Sequence, residues 1–169
     1  MVNKLKIGGG RMERLYIISS DTKAIMRTAS SYYRSKVLEG NEDKFSIKSP
    51  EQIIDNSCLL YGADLKGRKQ AVRKILSTTS KLPVPISPTR GVFMFPTSST
   101  KNKDCVWIAF HQVKFYEQRA DRTYIGFFDD TGIYVNASEN SIDAQYKRTS
   151  QVIVHYNRRI LFGFGSDMY

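Results

Sequence analysis

The chain has 169 residues, 41% of them hydrophobic and 12% aromatic, with 25% charged and a formal net charge of +10. This is enough length and apolar content for one domain with a sizeable core, and it excludes a disordered chain. No apolar run approaches a membrane span, Lys4, Lys6, Arg11, Glu13 and Arg14 break up any signal-peptide core, and two cysteines make no disulfide framework, so a cytoplasmic protein is expected.

Residues 1–11, with Gly8-Gly9-Gly10, read as a flexible tail ahead of a domain spanning 12–169. Glycine codons can spell a purine-rich ribosome-binding sequence just before Met12, so Met12 is the expected translation start. Finding Met1 or Val2 at the native N-terminus by mass spectrometry would reject this. Leu15 to Ser19 predicts a strand, Ser20-Asp21 a turn, Thr22–Arg27 a second strand and Phe45-Ser46-Ile47 a short third one. Pro50 after Ser49, with Glu51 in the first turn, opens a helix over about 50–61. Ile53, Ile54, Ser57, Cys58 and Tyr61 form its buried face, and Gly62 ends it.

The charge becomes informative beyond this helix. Lys66, Arg68, Lys69, Arg73, Lys74, Lys81, Arg90, Lys101 and Lys103 fall in a window with no Asp or Glu between Asp64 and Asp104. The remaining 17 basic residues are nearly balanced by the 16 acidic ones. A positive block free of internal acids is what a phosphate backbone selects for. Residues 68–78 fit a helix through Val72, Ile75 and Leu76, but alternation around Val72 also allows a strand. Pro83, Pro85, Pro88 and Gly91 predict an extended loop over 79–91 without a regular element.

Val92–Phe95 and Val106–Tyr116 then read as strands separated by the polar loop 97–104. Tyr124–Phe128 and Ile133–Val135 make a hairpin across Asp129-Asp130-Thr131-Gly132. The last element is a helix over about 141–159, with Ile142, Tyr146, Thr149, Ile153 and Tyr156 on one stripe and Asn140 and Asp143 as a capping-box-like start. Lys147, Arg148, Arg158 and Arg159 on its polar side are left free to meet phosphate. The expected fold is α+β: a single domain with an antiparallel β core flanked by these two helices.

Catalytic and metal chemistry find little support. The stretch from Gly62 to Lys69 echoes a phosphate-binding loop, but its lysine is displaced, no Ser or Thr follows, and it comes after a helix. A glycine-marked helix exit that delivers Arg68 and Lys69 to the surface fits better. Cys58, Cys105, His111 and His155 lack metal-ligand spacing, so buried thiols and a local histidine hydrogen bond are expected, with no cofactor. Asp129 and Asp130 suit a turn, not a catalytic pair. The chain is therefore read as non-enzymatic.

Several ordered sequence words resemble the ComK family of competence transcription factors. They are Pro50-Glu-Gln-Ile-Ile-Asp-Asn-Ser57-Cys58, Gly62, Gly67-Arg68-Lys69, Lys81-Leu-Pro83, Phe93-Met-Phe95-Pro96-Thr97-Ser98-Ser99, Cys105-Val-Trp107-Ile108 and Asn140-Ser141 through Thr149. The resemblance spans about 15–160. It implies a DNA-binding activator of DNA-uptake and recombination genes that acts as a homo-oligomer on AT-rich double-stranded boxes, chiefly through the minor groove. It also implies nucleoid association and control by the adaptor MecA with a Clp-type protease. No helix-turn-helix is read in the sequence, and minor-groove recognition of narrow A-tracts needs none. Relatives usually continue past the last helix with a charged segment, whereas this chain stops at Tyr169, so weak DNA binding or loss of activation is one expectation. The residues expected to contact DNA are Arg68, Lys69, Arg73 and Lys74, with Lys81, Arg90, Lys101 and Lys103 in flanking loops. The rival reading is a basic RNA-binding or ribosome-associated module without catalysis, although it lacks the aromatic signature of an RRM and the GXXG loop of KH domains.

Overall fold

Two three-stranded meanders meet edge to edge to form the central sheet of the computed structural model, which describes residues 4–6 and 12–163. The first comprises β3 (Thr22–Arg27), β4 (Ser35–Glu39) and β5 (Glu42–Ser46), and the second β6 (Val84–Ser87), β7 (Val92–Pro96) and β8 (Val106–Ala109). Antiparallel pairing of β3 with β8, Ile25 opposite Trp107, joins them in the order β5-β4-β3-β8-β7-β6. A separate meander follows, β9 (Val113–Arg119), β10 (Arg122–Phe127) and β11 (Gly132–Val135). Near the N-terminus, β1 (Lys4–Lys6) pairs with β2 (Met12–Arg14), and the rest of the expected tail lies outside the described residues.

Strand alternation sends successive side chains to opposite faces of the central sheet. On one face Ile25, Val84, Ile86, Met94, Trp107 and Ala109 pack against Ile53, Ile54 and Cys58 of α1 (Pro50–Leu60). On the other, Ala24, Phe95, Val106 and Ile108 meet Val113, Ile125, Phe127 and Val135 of the small sheet and Ile142 of α3 (Glu139–Phe162). A third cluster joins Val72 of α2 (Leu65–Leu76) to Leu82, Phe93 and Val152 at the β6–β7 side. The α+β, antiparallel expectation therefore holds, with α2 as a third helix.

Helix α1 starts as the sequence predicts, with a complete Ser49–Gln52 capping box and Pro50 in the first turn. Several other expectations are corrected. Leu15–Ser19 joins no sheet and lies along α1: Ile18 N–H donates to Ser57 Oγ at 3.0 Å and Ile18 O accepts from Tyr61. The strand expected at Phe45–Ile47 begins earlier, at Glu42, and β4 was not anticipated.

The stretch 79–91 contains β6 and a short 3-10 turn, since β6 is an edge strand and an edge tolerates Pro85 without its N–H. Val106–Tyr116 is two strands: a 3-10 turn at Phe110–Gln112 breaks it and sends β9 into the small sheet. His111 and Gln112 both reach Ser20 O, at 2.7 and 2.6 Å, and pin that corner. The cap of α3 is Ser138, which accepts from Ser141 N–H; Asp143 instead accepts from Tyr116 Oη at 2.7 Å.

Candidate nucleic-acid interface

Helix α2 begins at Asp64, whose carboxylate accepts the Gly67 N–H at 2.7 Å. This carboxylate occupies the helix N-terminus, so the glycine-rich stretch is a helix junction and no phosphate cradle forms there. At this junction α1 and α2 follow one another across turn 61–64, where Gly62 has φ +98°.

The periodicity of α2 sorts its cations. Leu65, Val72, Ile75 and Leu76 face the interior, and Arg68 falls on the same side, four residues before Val72. Its Nη2 donates to Tyr61 O at 3.2 Å, tying α2 to the end of α1, while its Nε is buried without a partner. Arg90 lies over the Tyr61 ring, 5.4 Å from the centroid, on the 3-10 turn Pro88–Arg90. These two arginines thus gather at Tyr61. Lys66, Lys69 and Arg73 recur on the other side of α2 at helical spacing.

Lys69 and Arg73 form one wall of a cleft of roughly 370 Å³. Thr79, Ser80, Lys81 and Leu82 form a second wall, Ser99, Thr100 and Lys101 a third, and Trp107 also lines it. Of the eight predicted contacts, Lys69, Arg73, Lys81 and Lys101 are therefore brought together. Lys74 and Lys103 are exposed outside this lining, and Arg68 and Arg90 sit at Tyr61.

Both loops are held firmly. Lys81 has φ +51°, and its carbonyl accepts from Gln145 Nε2 at 2.8 Å. The same Gln145 nitrogen donates to Pro96 O at 2.9 Å, so one side chain, 2% exposed, clamps the loop to the end of β7. On the other loop, Arg27 Nη2 donates to Thr100 O at 3.2 Å and Asn136 Nδ2 to Asp104 Oδ2 at 3.0 Å.

Among the described residues none of the nine cations from Lys66 to Lys103 has an ion-pair partner. No carboxylate lines the cleft, although Glu51, Asp55 and Asp64 line the adjoining groove that shares Lys69 and Arg73. Three of the four cations expected on α3 are less available, and Arg159 is exposed. Lys147 pairs with Asp143 at 2.7 Å, Arg148 donates to Gln145 Oε1 at 3.1 Å and Arg158 lies over the Phe162 ring. Burial pushes the Cys58 thiol up to about 11 and raises that of Cys105, as for thiols that pack as small hydrophobes.

The sequence reading missed the hydroxyls that alternate with these cations and the two buried residues beneath, Trp107 and Gln145. The runs Ser77-Thr-Thr-Ser80 and Thr97-Ser-Ser-Thr100 carried a usable signal, since hydroxyls beside lysines donate to phosphate oxygens.

The model of the family described as ComK protein matches residues 13–161. The chain belongs to the ComK family. It is 30% identical over 127 residues to the "Competence transcription factor" of Bacillus subtilis (strain 168). The match covers 75% of this chain and 66% of that relative's length. No solved structure matches the chain. Among the described residues no helix is long and apolar enough to cross a membrane.

Proposed function

We propose that this ComK-family chain is a non-enzymatic competence transcription factor that binds AT-rich duplex DNA, largely through the minor groove. The observation that carries the reading is the cluster of Lys69, Arg73, Lys81 and Lys101, none of which has an ion-pair partner among the described residues. Cations already paired within a protein release few counterions on binding, whereas free ones release nearly one per phosphate. The surface is rich in Lys, Ser and Thr and poor in the Asn, Gln and Arg forks that read major-groove edges. Loops carrying Lys81, Lys101 and Lys103 suit a narrow groove read by its shape and potential. Homo-oligomer formation, nucleoid association and hand-over to a Clp protease by MecA belong to the same reading, on the family resemblance.

A mobility-shift titration on AT-rich against GC-rich duplex tests it, with single-stranded RNA and an AT-selective minor-groove ligand as competitors. The AT-rich duplex should bind more tightly, and the minor-groove ligand should displace the protein. Preferential binding to RNA would favour the rival basic module, and indifference to the minor-groove ligand would remove the groove assignment. Lys69→Ala should weaken binding with little loss of stability. Arg68→Ala should mainly lower stability, because it severs the tie to Tyr61.

A further inference from the structure

The cleft holds an unpaired donor as well as free cations. Trp107 is 1% exposed, lines the cleft, and its indole Nε1–H has no hydrogen-bond partner among the described residues. Buried donors are nearly always satisfied, and an orphan calls for an explanation such as an ion or a ligand. The same cleft is lined by four cations, Lys69, Arg73, Lys81 and Lys101, and by Thr79, Ser80, Ser99 and Thr100. Three backbone carbonyls of lining residues are already engaged by donors: Lys81 O by Gln145, Thr100 O by Arg27 and Ser99 O by Asn102 N–H. A water molecule's share of liquid volume is about 30 Å³, so a cleft of roughly 370 Å³ has room for a phosphate and its attendant waters.

We propose that this cleft is a pocket for a single phosphate group, held by Lys69, Arg73, Lys81 and Lys101, with the Trp107 indole N–H as the donor beneath, directly or across one water. It rests on the DNA-binding reading in one respect, since the natural source of that phosphate is the backbone of bound DNA. The pocket makes the cluster a register point. One phosphate seats at a fixed place, and the surrounding cations contact its neighbours.

The chain has one tryptophan, so its indole N–H gives one resonance to follow. The full chain is titrated with inorganic phosphate at constant ionic strength, with chloride as the balancing salt. The indole proton should shift saturably with phosphate and not with chloride. Arg73→Ala/Lys101→Ala should weaken this response about tenfold or more, because two charge-assisted contacts are removed. Arg73→Lys should retain most of it, and dispersed amide spectra would show that each variant is folded. No saturable shift, the same shift with chloride, or an unchanged response in the double variant would overturn the pocket.

A second arm replaces phosphate with AT-rich duplex and separates the two readings. An indole that responds to phosphate in a protein that binds no duplex leaves the pocket standing without the DNA function. Salt-steep duplex binding with no indole response to either phosphate source leaves DNA binding standing and removes the pocket.

Discussion

Two faces of the molecule carry basic residues near exposed groups, and they differ in what those residues are already doing. On the outer face of the β9–β11 sheet, Arg119 bonds Glu117 and lies 4.1 Å from the Tyr124 ring centroid, and Arg122 lies 4.7 Å from that of Tyr134. Nearby, Lys114 pairs with Asp130 at 3.0 Å. This face is also closed over by its own rings: a Cβ at Gly126 would clash with the Phe115 ring, and one at Gly132 with that of Tyr124. Around the α2 cleft the cations have no acidic partner, the loops that carry them are tied down, and a buried donor waits beneath. Positive charge alone does not mark a site. The proposed DNA-binding face rests instead on charge that folding has left without an acidic partner, gathered on one cleft.

The comparison is broken most directly by removing charge from each face in turn. In 50 mM salt each phosphate neutralised contributes about tenfold through counterion release. Lys69→Ala/Arg73→Ala/Lys101→Ala should therefore lose on the order of 10³-fold in affinity for AT-rich duplex by mobility shift. Arg119→Ala/Arg122→Ala should stay within about threefold, since those charges are already engaged. Equal losses on the two faces would erase the distinction.

The support beneath the cleft comes next. Gln145→Ala leaves the carbonyls of Lys81 and Pro96 without their donor, and urea unfolding should show a loss of about 3 kcal/mol. A change below about 0.5 kcal/mol would mean that the clamp is dispensable.

The paired side of the molecule has its own signature in acid. Hydrogen bonds from Lys23 and Thr131 hold the Asp129 carboxyl down to about 2. Lys23 Nζ lies 2.7 Å from Asp129 Oδ2. A carboxylate whose pKa is lowered by folding stabilises above its unfolded value, near 3.9, and that contribution disappears as pH falls through the folded value. Thermal melts from pH 5 down to pH 2 should therefore show a loss of stability that is smaller in Lys23→Met. Parallel curves for the two proteins would contradict the pairing.

The smallest effect concerns Lys81, held at positive φ where glycine is at ease. Lys81→Gly should raise stability by up to about 1 kcal/mol while weakening DNA binding. Stability and binding would then move in opposite directions, as expected where strain serves placement.

Much of this was legible in the sequence, and what was not had physical reasons. The acid-free window from Lys66 to Lys103 stands in the composition, whereas its lack of ion pairs depends on how the fold holds Glu51, Asp55 and Asp64 beside Lys69 and Arg73. The Ser49–Gln52 box and the hairpin across Asp129–Gly132 follow from local chemistry. Helix α2 was ambiguous because Gly67 and the alternation around Val72 weaken its period. The Asp64 cap and the packing of Val72 on Leu82, Phe93 and Val152 decide it. Strand β6 was hidden by Pro85, which only the edge position allows. Arg68 would have read as a tether once the helix was fixed, because it shares the Val72 stripe. The Gln145 clamp and the orphan Trp107 donor depend on contacts between distant segments, which no local pattern records.

The most direct test is the salt dependence of binding to one AT-rich duplex, measured between 50 and 200 mM for the parent chain and the two multiple variants. If about five phosphates are neutralised, the slope of log K against log salt is about −4.5, a loss of roughly 500-fold over that range. The cleft variant should fall to a slope of about −1.8, and the Arg119/Arg122 variant should keep the parent slope. A parent affinity insensitive to salt, or a slope lost only when the β9–β11 arginines are removed, would contradict the assignment of the DNA-binding face to the unpaired cations around α2.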